Sequence, residues 1–143
     1  MKIVLDTSVI VEIDRKNDEV IKIIKRLIDN NHDILISVVT ISEIFAGSYL
    51  RNDFKKAVDE ARRILGQFIW IDMDAKIAEK TAQYLAYLIT EGKVIEYPDV
   101  AIAATFKATD SDYLLTLNKS HFESIPDIKG KVYEPKDFKK IAK

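Results

Sequence analysis

The sequence contains no cysteine and only two histidines, His32 and His121. Disulfide bonds, thiolate zinc sites and a cysteine nucleophile are therefore excluded, and so is a histidine-rich metal site. We interpret His32 as a solvated turn residue. A metal site in this chain would have to use oxygen ligands.

Long apolar runs are also missing. The apolar run near the N-terminus is too short for a signal peptide, and acids follow it. No stretch approaches the roughly 18 apolar residues of a membrane-spanning helix. We therefore expect a soluble, cytoplasmic protein without a membrane partner.

The chain has no excess of either charge. Its formal net charge is −1 over 143 residues, so any surface for nucleic acid would have to be local. The basic residues between 51 and 66 indicate a solvated helix face, or alternatively a face that steers an anionic partner. The length fits one domain, and we expect residues 1–143 to form it.

Short apolar runs alternate with amphipathic stretches along the chain. Strands are predicted at 3–5, 34–36, 68–71, 113–117 and 132–133, and helices at 9–13, 18–29, around Glu43, 51–66, from 72 or 74 to 91, and at 98–108. This alternation is typical of an α/β fold with a mostly parallel sheet. The sequence ends in a basic tail containing Lys136, Lys139, Lys140 and Lys143.

Asp6 follows the first predicted strand and precedes a helix. In open α/β sheets, ligands bind outside the carboxyl ends of the strands, which is where Asp6 would lie. Asp6 is therefore either a helix cap, with Thr7 or Ser8 sharing that role, or a functional carboxylate.

Two further acids and an amide occupy similar places. Thr40 or Ser37 can cap the helix that runs through Glu43. Glu43 itself either forms a capping box with Thr40 or faces the same sheet edge as Asp6. Asp99 is a first-turn acid, favourable for the helix dipole, or a second functional carboxylate at that edge. Asn118 follows the fourth predicted strand.

Carboxylates that converge at one sheet edge repel each other unless a cation lies between them. Mg²⁺ and Mn²⁺ prefer such oxygen ligands. An ion held in this way can activate water and stabilise an in-line displacement at phosphorus. The spacing of these acids therefore favours a hypothesis of metal-dependent phosphodiester hydrolysis.

Four segments together resemble a known family. They are LDTS at 5–8, SE at 42–43, DVAIAAT at 99–105 and LTLNKSHF at 115–122. Their order and spacing, and the total length, are similar to those of PIN-domain ribonucleases of the VapC toxin type. The resemblance extends over residues 1–135 or so of the chain.

The resemblance implies a PIN-like three-layer α/β/α sandwich whose central, mostly parallel sheet has about five strands. It also implies an endoribonuclease that cleaves single-stranded RNA with Mg²⁺ or Mn²⁺. The acids that match the metal ligands of the family are Asp6, Glu43 and Asp99. Thr7 or Ser8, together with Thr116, would lie near the site and orient waters.

The fourth family position is Asp in some members and Asn in others, and here it is Asn118. An amide can bind an ion through its carbonyl or a water but brings no charge, which leaves open whether one metal or two are bound. His121 lies in the variable part of this motif. We interpret it as structural, with contact to the RNA phosphate as the alternative.

The resemblance further implies a homodimer that a small cognate antitoxin holds inactive. Apolar residues after Glu43 could receive the antitoxin, or could equally pack in the core; they are Ile44, Phe45, Tyr49 and Leu50. No motif indicates which RNA is cut or which antitoxin binds.

Other classes of protein remain as alternatives. A non-catalytic PIN-like module that binds RNA or protein is compatible with Asn118 but not favoured by three intact acids. A haloacid-dehalogenase-type phosphatase would need a second Asp where this chain has Ser8. A receiver-like signalling module would need paired acids before the first helix, and Asp6 has no such neighbour.

Overall fold

A computed structural model describes residues 1–138 and contains one five-stranded sheet. Its strands are β1 (Lys2–Leu5), β2 (Asp33–Ser37), β3 (Ile69–Ile71), β4 (Tyr113–Leu115) and β5 (Val132–Tyr133). They lie in the order β3-β2-β1-β4-β5, and every pair is parallel. The predicted α/β class is confirmed.

Helices connect the strands. They are α1 (Thr7–Asp14), α2 (Asp18–Asp29), α3 (Val38–Tyr49), α4 (Phe54–Leu65), α5 (Ala75–Thr90), α6 (Tyr97–Ala108), α7 (Lys119–Glu123) and α8 (Pro135–Phe138), with a 3₁₀ turn at Pro126–Ile128. Within the described part of the chain, none of these helices is long and apolar enough to cross a membrane.

The predicted basic tail falls partly outside the described residues. Lys139, Lys140 and Lys143 lie beyond residue 138. Lys136 belongs to α8, and its Nζ lies 3.1 Å from a carboxylate oxygen of Glu134.

Side chains of β1 divide between two cores, one on each face of the sheet. Ile3 and Leu5 pack with α1, α2 and α4, whereas Val4 packs with α5 and α6. Successive side chains of a strand point to opposite faces, so a continuously apolar strand requires helices on both sides. This is the three-layer α/β/α arrangement that the resemblance implied.

The strand order creates a crevice between β1 and β4. From the central β1 the chain builds β2 and β3 on one side, and then crosses to β4 on the other. Ligands of open parallel sheets bind at such switch points, outside the carboxyl ends of the strands. Asp6 N–H donates to Leu115 O across this crevice (2.9 Å).

Two predicted boundaries were wrong. β4 ends at Leu115 rather than residue 117, because the amides of Leu117 and Asn118 bind side-chain hydroxyls instead of a neighbouring strand. The helix predicted from residue 51 begins at Phe54, since α3 runs on to Tyr49 and residues 50–53 form the turn.

Helix α6 is buried along nearly its whole length. Every residue from Val100 to Phe106 is buried, and the helix makes its most extensive packing with α5. Three alanines in this stretch allow close approach, because they add little volume between α6 and its neighbours. The buried helix holds Asp99, in its first turn, at the crevice.

We expect Ala104→Leu to lower the free energy of unfolding by about 1–3 kcal/mol, because the larger side chain has no space at this fully buried position. Ala82→Leu on the exposed side of α5 is the matched control and should change it by less than about 0.5 kcal/mol. Urea denaturation measures both. Equal losses would contradict the close packing of α6.

Candidate active site

An acidic cleft of about 490 Å³ lies at the carboxyl ends of β1 and β4. It is lined by the acids Asp6, Glu43, Glu96 and Asp99, and by Thr7, Ser8, Asn118 and His121, among others. Within residues 1–138, no lysine or arginine lines it. Such a cleft repels anions and attracts a cation.

Asp6 is almost completely buried, with 1% of its surface exposed. Its Oδ2 accepts hydrogen bonds from Ser8 Oγ (2.7 Å) and Thr116 Oγ1 (2.8 Å). Although Asp6 stands at the N-cap position of α1, its carboxylate makes no capping hydrogen bond, so the interpretation as a helix cap was wrong. Ser8 and Thr116, both predicted as supporting residues, hold this carboxylate instead.

The second oxygen of Asp6 has no hydrogen-bond partner. Oδ1 is the one buried side-chain oxygen or nitrogen in the described part of the chain that lacks one. A buried acceptor without a donor is costly, and native proteins rarely leave one unexplained. A bound cation would offset the energetic cost of leaving Oδ1 without a hydrogen-bond donor.

Glu43 is held by a chain of hydroxyls. Thr7 Oγ1 donates to Glu43 Oε1 at 2.7 Å and lies 2.9 Å from Thr40 Oγ1. A threonine hydroxyl has a single hydrogen, so Thr40 is the donor to Thr7. The predicted capping box is wrong, because Ser37 caps α3 through its hydrogen bond from Val39 N.

Asp99 and Asn118 both line the cleft. Asp99 Oδ2 lies 3.0 Å from His121 Nδ1. Asn118 immediately precedes α7, and its side chain makes no capping hydrogen bond. The side chain of Asn118 is therefore free of helix capping at the edge of the cleft.

The acids of the cleft sense each other electrostatically. Burial raises the pKa of Glu43, and the charges of Asp6, Asp99 and Glu96 raise it further, against the lowering effect of the Thr7 hydrogen bond. Burial likewise raises the pKa of Asp99, as do the charges of Asp6 and Glu96, while His121 lowers it. The carboxylates thus face a common space.

The donor set fits a hard divalent cation. Carboxylate oxygens from Asp6, Glu43 and Asp99, with the neutral amide oxygen of Asn118, are ligands that Mg²⁺ and Mn²⁺ accept. As the side chains stand, no group of three or more acidic or histidine side chains among residues 1–138 is arranged so that it could hold a metal ion. Instead, Thr7 binds the carboxylate of Glu43, and His121 binds that of Asp99.

Two features of the cleft were missed from the sequence. Glu96 lies between the helices predicted to end at residue 91 and to begin at residue 98, but it is the N-cap residue of α6 and lines the cleft. Glu96 lies three residues before Asp99 at the start of a helix, and this spacing could have predicted that both acids lie at the cleft. The contact between Asp99 and His121 had no local signal, because 22 residues separate them.

The apolar residues proposed for antitoxin binding divide into two groups. Ile44 and Phe45 pack against the core. Tyr49 is 56% exposed and Leu50 87% exposed. Core packing is therefore correct for the first pair, which is partly buried, and the second pair is the more exposed of the two.

A family model of the PIN domain matches residues 3–128. The chain therefore belongs to the PIN-domain family, as its motifs indicated. A search of curated proteins finds no match.

Solved structures share the fold over nearly the whole chain. VapBC2 from Rickettsia felis, bound to a promoter DNA fragment, matches with a TM-score of 0.84 at 23% identity, over 94% of this chain and 98% of that one. FitAcB from Neisseria gonorrhoeae matches with a TM-score of 0.77 at 30% identity, over 93% and 97%.

A third match is VapC20 from Mycobacterium tuberculosis, described as a sarcin–ricin loop cleaving toxin. Its TM-score is 0.59 at 17% identity, over 78% of this chain and 86% of that one. The resemblance to VapC-type PIN domains is thus confirmed at the level of fold.

We expect Asp99→Asn to stabilise the metal-free protein at pH 7, because the substitution removes the repulsion between Asp99 and the other acids. Solvent screening at this partly exposed site limits the gain to about 1 kcal/mol. The raised pKa of Asp99 means that the folded protein binds its proton more tightly than the unfolded chain. Stability therefore falls as pH rises from the ordinary value of 3.8 through the folded-state pKa.

The measurement is urea denaturation in EDTA at pH 7 and at pH 3.5, with Asp72→Asn, an exposed acid outside the cleft, as control. The advantage of Asp99→Asn should disappear at the lower pH. Adding Mn²⁺ should stabilise the wild type more than the variant. A variant that is less stable at pH 7 in EDTA would contradict the repulsion.

Proposed function

We propose that the protein is an endoribonuclease that requires Mg²⁺ or Mn²⁺ and acts as the VapC-type toxin of a toxin–antitoxin pair. The observation that carries the proposal is the buried Asp6 Oδ1, which has no donor and belongs to a residue that lines an acidic cleft. Membership of the PIN-domain family supports the same class of activity.

Metal dependence follows from the charge of the cleft. The phosphodiester backbone of RNA is anionic, and the four carboxylates of the cleft repel it. Asp6, Glu43 and Asp99 would hold the divalent ion. When bound, the ion offsets this repulsion, lowers the pKa of water and stabilises the charge that develops on the phosphate oxygens.

The residues of the chain have separate roles in this mechanism. Ser8 and Thr116 fix the Asp6 carboxylate through one oxygen, so that the other remains available. Thr7 fixes Glu43 in the same way. Glu43 or Asp99 would accept a proton from the attacking water, since both are carboxylates that line the cleft. Asn118 would orient a water or a phosphate oxygen.

The toxin role is inferred from the structural relatives, several of which are VapBC complexes. A cognate antitoxin would inhibit the chain, and Tyr49 and Leu50 are apolar surface that it could cover. We also propose that the protein is a cytoplasmic homodimer and that residues 1–143 form one domain.

The alternative function is a PIN-like module that binds RNA or protein without cutting it. The observation in its favour is Asn118, which supplies no charge at the fourth position of the motif. Such a module would have no need of the ion.

Purified protein should cleave a mixed single-stranded RNA pool in Mg²⁺ or Mn²⁺. We expect no cleavage in EDTA, and a loss of at least about 100-fold in Asp6→Asn and Asp99→Asn, because each removes a ligand of the ion. Gel electrophoresis measures the products. Asp72→Asn, outside the cleft, is the matched control and should cleave normally.

Cleavage that persists in Asp99→Asn would refute the assignment of the site. A folded wild type that binds Mn²⁺ in calorimetry but cuts no RNA in the pool would indicate a narrow substrate that the pool does not contain. One that neither binds Mn²⁺ nor cuts would support the binding module.

Expression of the chain in bacteria should arrest growth, and Asp99→Asn should not. This difference is expected because toxicity would depend on the ion-binding carboxylates. Colony counts after induction measure it, with immunoblots to show equal protein levels. Equal arrest by both proteins would contradict a nuclease toxin. Light scattering of the purified protein should give twice the chain mass of 16.4 kDa if it is a homodimer.

A further inference from the structure

His121 joins two separate elements of the cleft. It lies on α7, and its Nδ1 contacts Asp99 Oδ2 on α6. A carboxylate oxygen only accepts hydrogen bonds, so the ring N–H at Nδ1 is the donor. The contact is half open to solvent, with 53% of the His121 side chain and 21% of the Asp99 side chain exposed.

The buried neighbour of His121 fixes the position of its ring. Phe122 is 1% exposed and packs in the core that α6 also lines. The backbone N–H of His121 donates to Asn118 O at 3.1 Å. The imidazole is therefore presented to Asp99 by an anchored turn of helix.

All three predicted ligands share one pattern. One oxygen of each carboxylate accepts a hydrogen bond from another side chain of the cleft: Asp6 from Ser8 and Thr116, Glu43 from Thr7, and Asp99 from His121. The first two use neutral hydroxyls, and Asp99 alone uses an imidazole. Asp99 Oδ1 has no hydrogen bond from any of residues 1–138.

Without His121, the Asp99 carboxylate would lose the contact that opposes repulsion within the cleft. Asp6 and Glu96 both act on Asp99 with like charge. A carboxylate in that field gains by rotating toward solvent, away from the other acids. The hydrogen bond from His121 holds one oxygen in place and leaves the other for an ion.

We propose that His121 is a positioning residue of the metal site, which orients Asp99 so that the cleft binds a divalent ion tightly. This inference rests on the proposed function, because it assigns Asp99 as a ligand. Side chains that orient metal ligands contribute about 10–100-fold to metal affinity in other proteins. His121 would then act through Asp99 and not on the RNA.

The test is the affinity of the protein for Mn²⁺ alone, measured by electron paramagnetic resonance. We expect His121→Ala and His121→Gln to bind Mn²⁺ at least about 10-fold more weakly than the wild type. His121→Asn should stay within about threefold, since the amide nitrogen of Asn reaches the place of Nδ1 whereas that of Gln reaches the place of Nε2. Ser120→Ala, an exposed neighbour on α7, is the matched control.

Wild-type Mn²⁺ affinity in all three His121 variants would overturn the proposal. If these variants also lost RNA cleavage, His121 would instead contact the phosphate. Thermal melting verifies that each variant is folded, and the contrast between Asn and Gln remains informative if the Ala variant is not.

The outcomes separate this inference from the proposed function. Mn²⁺ binding that depends on His121 would support the positioning role even in a protein that cuts no RNA in the pool, because the missing cleavage bears only on the proposed nuclease and its substrate. A wild type that binds no Mn²⁺ would overturn the positioning role directly.

Discussion

The burial of a charged Asp6 beside other acids is the constraint on which the rest of the site depends. Removing a carboxylate from water is costly unless hydrogen bonds or a counter-ion replace the lost hydration. Ser8 and Thr116 satisfy one oxygen, and the other is left without a donor. The surrounding carboxylates increase the cost, because their charges have the same sign. The cleft is therefore an arrangement whose electrostatics improve when a cation is present.

The fold supplies this arrangement through strand order. Because β1 is central and β4 is its neighbour, the residues that follow both strands meet at one crevice. Ile3, Val4 and Leu5 are all apolar and point to alternate faces of the sheet, so each face needs a helical layer. The small residues of α6 let this helix pack closely, which brings Asp99 to the crevice. Packing and chemistry are thus coupled, since the buried helix and the buried strand that form the cores also carry the acids.

The sequence was most informative where pattern and chemistry coincided. Alternating elements predicted the sheet, and acids after strands predicted which residues line the cleft. Sequence spacing gave a wrong prediction where one pair of residues fitted both a helix cap and a functional site. Thr40 and Glu43 have the spacing of a capping box, yet Thr40 turns toward Thr7, a residue from a distant part of the chain. The contact of His121 with Asp99 had no local signal, because it arises from the packing of α7 beside α6.

The central strand β1 is synthesised before both of its neighbours in the sheet, β2 and β4. Asp6 is synthesised before β2 and β3, whereas its partner Thr116, directly after β4, follows 110 residues later. A chain that has reached only β3 lacks the neighbouring strand on one side of β1, together with Asp99 and Asn118. Domains generally fold as units once their sequence is available. The cleft therefore assembles only after the chain has been synthesised through α7, so a shorter nascent chain cannot perform the chemistry proposed for the folded domain.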